Sequence, residues 1–364
     1  MTTPKRDETT EDVRWMRRAL ELAERGWGQV APNPMVGAIV VRDGAMVGEG
    51  AHLRYGEPHA EAVALRAAGA RARGATVYTT LEPCAHDGLT PPCAHALIAA
   101  GVSRVVYAVG DPNPEARGGS ARLRAAGVAV TEGVCETEAR ELNAAFFNRF
   151  ASDRPWIVLK MAVTLDAAIG DGSATTSWIT NEVTKRYVHR LRAGHDAIAV
   201  GMRTVRVDDP QLTVRESEAP RVPPTRVVFS RHGRLPLTST LARTAQDSPV
   251  IVVGQDIDTE YAHALSELGV ELLDASSITE ALRALGRQGL HSILVEGGAQ
   301  LAGLFLGDGL VDRLILVQAP VIFGRGALGA FSATPLARGG VAPRWRVLHR
   351  ESLGDDLLTV FAPS

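Results

Sequence analysis

Residues 11–25 (EDVRWMRRALELAER) place Val13, Met16, Leu20 and Ala23 on one face at helical spacing, with charged positions between them. The pattern then changes. GAIVV and AMVGEG flank Arg42-Asp43-Gly44, which predicts a hairpin. HAEAVALRAAGARARG reads as helix, ATVYTTLEP as strand, PPCAHALIAAG as helix and VSRVVYAVG as strand. ARLRAAG predicts a helix, VAVTEG a strand, and ETEARELNAAFFNRF a single closing helix. Such alternation predicts an α/β domain around a central sheet. Ala151-Ser152-Asp153-Arg154-Pro155 is polar and carries a helix-stopping proline, so it predicts a linker. Beyond it the alternation restarts, with strands in PWIVLKMAVTL, HDAIAVG, TRVVFS, SPVIVVG, HSILVEGG and a long DRLILVQAPVIFG. Helices are predicted over EVTKRYVHRLRAG and AQLAGLFL, with two more around VELL. No repeat at 20–50-residue spacing is visible, which argues against a solenoid. The pattern predicts two α/β domains, residues 1–151 and 152–364.

The length of 364 residues agrees with two domains at about 150 residues each. The chain is 45% hydrophobic and 22% charged, ordinary for a globular protein with a full core. Lys and Arg total 39 against 41 Asp and Glu, a net charge of -2 without a basic stripe, and aromatics are 5%. That balance argues against a nucleic-acid binder, which would show cationic grooves and stacking aromatics. The N-terminus has no apolar core of a signal peptide, and no apolar run approaches the roughly 18 residues of a membrane span. Three cysteines do not make a disulfide framework and suit metal or catalytic use. The expectation is a cytoplasmic enzyme acting on a small molecule.

His59-Ala60-Glu61 opens a predicted helix, Pro83-Cys84 follows a predicted strand, and Cys93 opens the next helix. Ring deaminases combine His-x-Glu with Pro-Cys…Cys, where the Glu is not a ligand. A catalytic zinc takes three protein ligands and keeps one position for water. His59, Cys84 and Cys93 are therefore the candidate ligands, and Glu61 the candidate acid/base. Eight residues separate the cysteines where the general motif has two. The competing reading is a structural zinc site, closed by Cys135 or His86 as a fourth ligand.

PNPMVGAIVV, GEPHAEAVALRAAGA, TTLEPCAHDGLTPPC and DPNP together resemble the bifunctional deaminase–reductases of riboflavin biosynthesis. In that family the eight-residue gap ending in TPPC is the expected form. The resemblance implies a cytidine-deaminase-like α/β/α fold for the first domain. It implies deamination of 2,5-diamino-6-(5-phosphoribosylamino)pyrimidin-4-one at C2, with Asn33, His52 and His86 lining the substrate pocket. Leu89 departs from the Lys or Arg usual at its position.

In the second domain, Lys160 lies within an apolar strand, WIVLKMAVTLD, in a chain with only two other lysines, Lys5 and Lys185. A buried lysine is costly unless paired, so the position suggests a need for a compact ammonium; an edge strand facing solvent is the alternative. SILVEGG runs from a strand into a Gly pair and a helix, a geometry that offers backbone N–H groups to a pyrophosphate. Gly324–Gly329 matches GxGxxG literally but precedes no amphipathic helix, so it is not a dinucleotide fingerprint.

The resemblance continues through KMAVTLDAAIG, TSWIT, VHRLRAGHDAIAVG, TVRVDDPQLTVR and ILVEGGAQLAGLFL. It implies a dihydrofolate-reductase-like α/β fold and NADPH-dependent reduction of the ribosylamino group to ribitylamino. It places Ala162, Trp178, Thr204, Asp208 and Gly298 at NADPH. It places Thr176, Arg192, Leu212, Arg215 and Glu296 at the substrate, the arginines suiting a phosphate, and makes Lys160 the group that orients or polarises the sugar. Ala167, Arg203 and Ser230 depart from the usual Gly, Gly and Asp. The family further implies a homo-oligomer, dimer or tetramer. The alternative is a deaminase alone, with a catalytically silent C-terminal assembly domain.

Overall fold

The computed structural model describes residues 9–86, 91–172, 179–334 and 343–364; Leu89, Thr176 and Trp178 lie outside the described residues. The chain divides into two compact units, one ending at Ala151 and the other beginning at Ser152.

The first unit runs α1 (Thr10–Ala23), β1 (Gly37–Arg42), β2 (Ala45–Ala51), α2 (Ala60–Ala68), β3 (Thr76–Thr79), α3 (Cys93–Ala100), β4 (Arg104–Tyr107), α4 (Gly119–Ala125), β5 (Ala129–Glu132), α5 (Glu136–Leu142) and α6 (Ala144–Ala151). Its sheet has the order β2-β1-β3-β4-β5, with β1 antiparallel to both neighbours and β3, β4 and β5 parallel. The Asp43-Gly44 turn has positive φ at both residues, the conformation that closes a two-residue hairpin. Met16, Ala19, Leu20 and Ala23 bury the apolar face of α1. Asp12, on the same helix, receives a bidentate Arg104 at 2.9 Å and the Tyr78 hydroxyl at 2.9 Å, which ties α1 to the sheet.

The predicted closing helix is two helices. Asn143, between α5 and α6, is buried and turns its side chain to the Met35 backbone, accepting from its N–H at 2.8 Å and donating to its carbonyl at 2.9 Å. That pairing at long range outweighs the local helical preference.

The second unit runs β6 (Trp156–Val163), β7 (Ala168–Gly170), α7 (Glu182–Ala193), β8 (Ala197–Gly201), α8 (Met202–Asp208), β9 (Thr225–Phe229), α9 (Thr240–Arg243), β10 (Val250–Gly254), α10 (Thr259–Glu267), β11 (Val270–Asp274), α11 (Ile278–Arg287), β12 (Ser292–Val295), α12 (Ala299–Gly307), β13 (Arg313–Gln318), β14 (Leu328–Gly329), β15 (Trp345–Leu353) and β16 (Asp356–Pro363). The main sheet has the order β11-β10-β9-β8-β12-β6-β13-β16-β15. Strands β11 through β13 pair in parallel, and β16 and β15 extend the sheet antiparallel. β10 and β12 are buried along their whole length, as their unbroken apolar runs require in a parallel sheet.

The long strand predicted over 312–324 ends at Gln318: Ala319 donates to the Val163 carbonyl, and Pro320 has no N–H to continue the ladder. The short α8, the β7–β14 pair and the β15–β16 hairpin were not predicted by the pattern. Ala167, where the family usually has Gly, has φ 57, a left-handed conformation that favours glycine. Among the described residues no helix is long and apolar enough to cross a membrane.

Candidate active sites

In the first unit, the helix starts predicted from the sequence bring the chemistry together. His59 is the N-cap of α2, Glu61 lies buried in its first turn, and Cys93 is the first residue of α3. Cys84 follows β3 on a loop, and the Cys93 backbone N–H donates to its sulfur at 3.3 Å. His59 Nδ1 stands 3.3 Å from Cys93 Sγ and 3.6 Å from Cys84 Sγ, and all three ligand atoms lie within 4.8 Å of one another. Tetrahedral zinc with one nitrogen and two sulfur ligands separates them by about 3.5–3.8 Å, so the donor set fits the ion. Among the described residues no fourth ligand joins the cluster: Cys135 is buried in the hydrophobic core, and His86 is outside the group.

The hydrogen bond with Cys93 pulls the Cys84 thiol down to about 4 against the effect of burial, with His59 assisting. The hydrogen bond with Cys84 in turn raises His59. Burial raises Glu61, the direction that suits a carboxyl required to hold and release a proton.

The loop carrying Cys84 is held from behind. Glu82 accepts from the backbone N–H groups of Gly118 at 3.2 Å, Ser120 at 3.1 Å and Asp111 at 3.4 Å. A Cβ at Gly119 would lie 1.8 Å from the Pro83 carbonyl oxygen, so only glycine permits this approach. A cavity of about 240 Å³ opens in front, lined by Asn33, His52, His59, Glu61, Cys84 and His86. His52 Nδ1 donates to the Pro58 carbonyl at 3.3 Å, leaving Nε2 to accept from Asn33 Nδ2 at 3.2 Å. Burial lowers the His52 pKa, which keeps the ring neutral for this arrangement. Asp111, Asn113 and Phe146 also line the cavity and were not singled out from the sequence; the DPNP string was the one signal that contained two of them. Burial pushes the Asp111 carboxyl up to about 6.

The second unit holds a cavity of about 990 Å³ at the C-terminal ends of β8, β9, β10 and β12, where open parallel sheets bind ligands. Lys160, Ala162, Thr204, Asp208, Glu296 and Gly298 all line it. Arg203, Ser230 and Arg231 line it too, and Arg231 belongs to no motif that would have marked it. Burial lowers Lys160 while the nearby Glu296 opposes that shift. Arg192 is not on the wall: it forms a bidentate pair with Glu296 at 2.6 and 3.0 Å. Leu212 is buried in the core with φ 53, and Arg215 is exposed, its Nη1 donating to Gln211 and Thr213; neither lines the cavity. The GxGxxG string opens no helix among the described residues; Leu328 and Gly329 instead form β14 against β7.

Residues 9–109 match the family described as the cytidine and deoxycytidylate deaminase zinc-binding region, and residues 155–359 match the RibD C-terminal domain. The riboflavin biosynthesis protein RibD of Aquifex aeolicus is 40% identical over 354 residues, covering 96% of this chain and 98% of that protein. This chain belongs to the RibD family. The RibD of Escherichia coli is also 40% identical, over 95% of this chain and 98% of its own length. The solved structure of Acinetobacter baumannii RibD superimposes with a TM-score of 0.84 at 38% identity, covering 98% of this chain and 100% of that one. A Thermotoga maritima structure, described as a diaminohydroxyphosphoribosylaminopyrimidine deaminase/5-amino-6-(5-phosphoribosylamino)uracil reductase, gives 0.83 at 36% identity over 97% and 99%. RibD proteins are bifunctional deaminase–reductases of riboflavin biosynthesis that use zinc and NADPH on a small-molecule substrate, and both halves are present here. The first half has the cytidine-deaminase-like fold and the second the α/β reductase fold that the sequence motifs implied. A silent C-terminal assembly domain is not favoured by a match that spans both halves.

Proposed function

We propose that residues 1–151 deaminate 2,5-diamino-6-(5-phosphoribosylamino)pyrimidin-4-one at C2, and that residues 152–364 reduce the ribosylamino side chain to ribitylamino with NADPH. The observation that carries the reading is the cluster of His59, Cys84 and Cys93, without a fourth protein ligand among the described residues, beside a buried Glu61 on a cavity wall. Zinc bound there lowers the pKa of a water toward neutrality. Glu61, buried beside the three residues that would hold the ion, would serve as the acid/base that holds a proton and releases it to the departing amine. Asn33 and the neutral His52 orient the ring through their shared hydrogen bond, and His86 completes the polar wall.

NADPH supplies the hydride in the second unit. Ala162, Trp178, Thr204, Asp208 and Gly298 border the cofactor, and Lys160 orients and polarises the sugar. Thr176, Arg192, Arg215 and Glu296 border the substrate, the two arginines suiting its phosphate, and Leu212 acts through the bend of the segment that carries Arg215. The reading places the enzyme in the cytoplasm as a homo-oligomer with no nucleic-acid partner.

Mass spectrometry of the diaminopyrimidine phosphate after incubation with zinc-loaded protein, with and without NADPH, tests the assignment. Deaminated product without NADPH, and reduced product only with it, is the expected outcome. No change in either tube overturns the substrate, and deaminated product alone in both overturns the reductase half.

A further inference from the structure

The segment that carries Arg215 is docked on one face of α7. Lys185, His189 and Arg192 follow one another at i, i+4 and i+7, which places them on a single side of the helix. Lys185 Nζ lies 2.7 Å from Glu216 Oε1, the Arg215 backbone N–H donates to His189 Nδ1 at 3.2 Å, and Arg192 Nη1 donates to the Thr213 carbonyl at 3.1 Å. The segment enters this dock through Leu212, buried and left-handed at φ 53. The Arg215 side chain is steadied from within the segment, its Nη1 donating to Gln211 Oε1 at 2.8 Å and to Thr213 Oγ1 at 2.7 Å. Of the three anchors on α7, only the imidazole has an ordinary pKa near neutrality. His189 is 3% exposed, and its Nδ1 accepts only while the ring is neutral with its proton on Nε2.

We propose that His189 is a positioning residue of the reductase half, which holds the Arg215 backbone in place for substrate binding and releases it when the imidazole takes up a proton. The inference rests on the reading of Arg215 as a substrate residue. Its physical basis is the direction of one hydrogen bond. A proton on Nδ1 would set a second N–H against the N–H of Arg215, so the bond is lost and a buried donor is left facing another donor. Protonation would also add a third cation beside Arg192 on α7 and Arg215 on the docked segment. The opposing charges are Glu216 on that segment, itself paired with Lys185, and Glu296 at the end of β12. Burial and the two arginines outweigh the two carboxylates and hold the ring below its ordinary range, so the acceptor is present at neutral pH and is lost as the pH falls through that lowered value. A glutamine at this position offers an amide oxygen on a chain of similar reach and does not titrate.

Full-length, zinc-loaded wild type, H189Q, H189A and R215A decide the matter. Steady-state reduction of the deaminated substrate is measured with NADPH from pH 5 to pH 8, and NADPH binding by fluorescence shows that the second unit has folded. At pH 8, H189A is expected to raise the KM for the deaminated substrate about tenfold, the effect of one lost hydrogen bond, with kcat within about threefold of wild type. H189Q should restore the KM to within about threefold. The substrate phosphate itself titrates near pH 6 and moves the KM of every variant alike, so the decisive quantity is the ratio of the wild-type KM to that of H189Q. That ratio should rise about tenfold from pH 8 to pH 5, while the ratio of their kcat values stays level. Where H189A fails to bind NADPH, this ratio carries the test, since neither chain in it lacks an acceptor at pH 8. A ratio that stays flat across the range overturns the proposal. A fall in kcat with unchanged KM in H189A also overturns it, because His189 would then act on the reacting groups and not on substrate binding. An R215A variant with unchanged KM brings down the reading of Arg215 as a substrate residue, a failure visible without reference to His189.

Discussion

The deaminase cavity takes its chemistry from His59–Glu61, the loop from Glu82 to His86, and Cys93, whereas the reductase cavity collects its walls from strands and loops spread between Lys160 and Ala333. The first encloses about 240 Å³ and the second about 990 Å³. In the small cavity the reacting groups are fixed by helix starts and a clamped loop, so each residue has one task that no neighbour can assume. In the large one, shape is distributed over many backbone segments, and the few charged side chains work as a coupled set. Chemistry carried by short segments should therefore fail abruptly on single substitution, while a distributed cavity should retain binding when a reacting group is removed.

The sharpest way to break that contrast is Glu61→Gln. Deamination should fall on the order of 1,000-fold, with zinc content by elemental analysis and NADPH-dependent reduction unchanged. Retention of a tenth of the deaminase rate would show that the acid/base lies elsewhere. Next in size is Lys160→Met, expected to lower reductase turnover by about 100-fold while NADPH still quenches and deamination continues. Loss of NADPH binding in that variant would mean that the large cavity is as locally determined as the small one.

Asp111 sharpens the comparison through stability. Its carboxyl is pushed up to about 6 by burial, above the ordinary value of 3.8. The folded state therefore holds the proton more tightly than the unfolded chain, and the stability from this group is full below the unfolded pKa and lost as pH rises through about 6. At pH 7 the site costs on the order of 3 kcal/mol. Urea unfolding of zinc-free Asp111→Asn should show a stability gain over wild type that is absent near pH 4 and grows toward pH 7. An equal gain at both pH values would remove the titration from the account. The smallest effect belongs to the other unit: Ala167→Gly, at φ 57, should stabilise by up to about 1 kcal/mol by relieving the left-handed Cβ, read as a rise in the urea midpoint.

Legibility followed the same division. The Arg42-Asp43-Gly44 hairpin, the helix starts at His59 and Cys93 and the apolar strands were readable because turn chemistry, capping and alternation act within a few residues. The break at Asn143 was not readable, since its cause is Met35, more than a hundred positions earlier. Nor was the position of Leu212 away from the cavity wall, or the commitment of Arg192 to Glu296, a partner 104 residues away.

By itself the sequence determined the two-unit plan, the metal-ligating residue types and their place at helix starts, because these rest on local backbone preference and donor chemistry. Only the tertiary structure decided which polar groups share a cavity and which are already paired. Burial and long-range hydrogen bonds set those relations between residues far apart in the chain, and no local pattern encodes them.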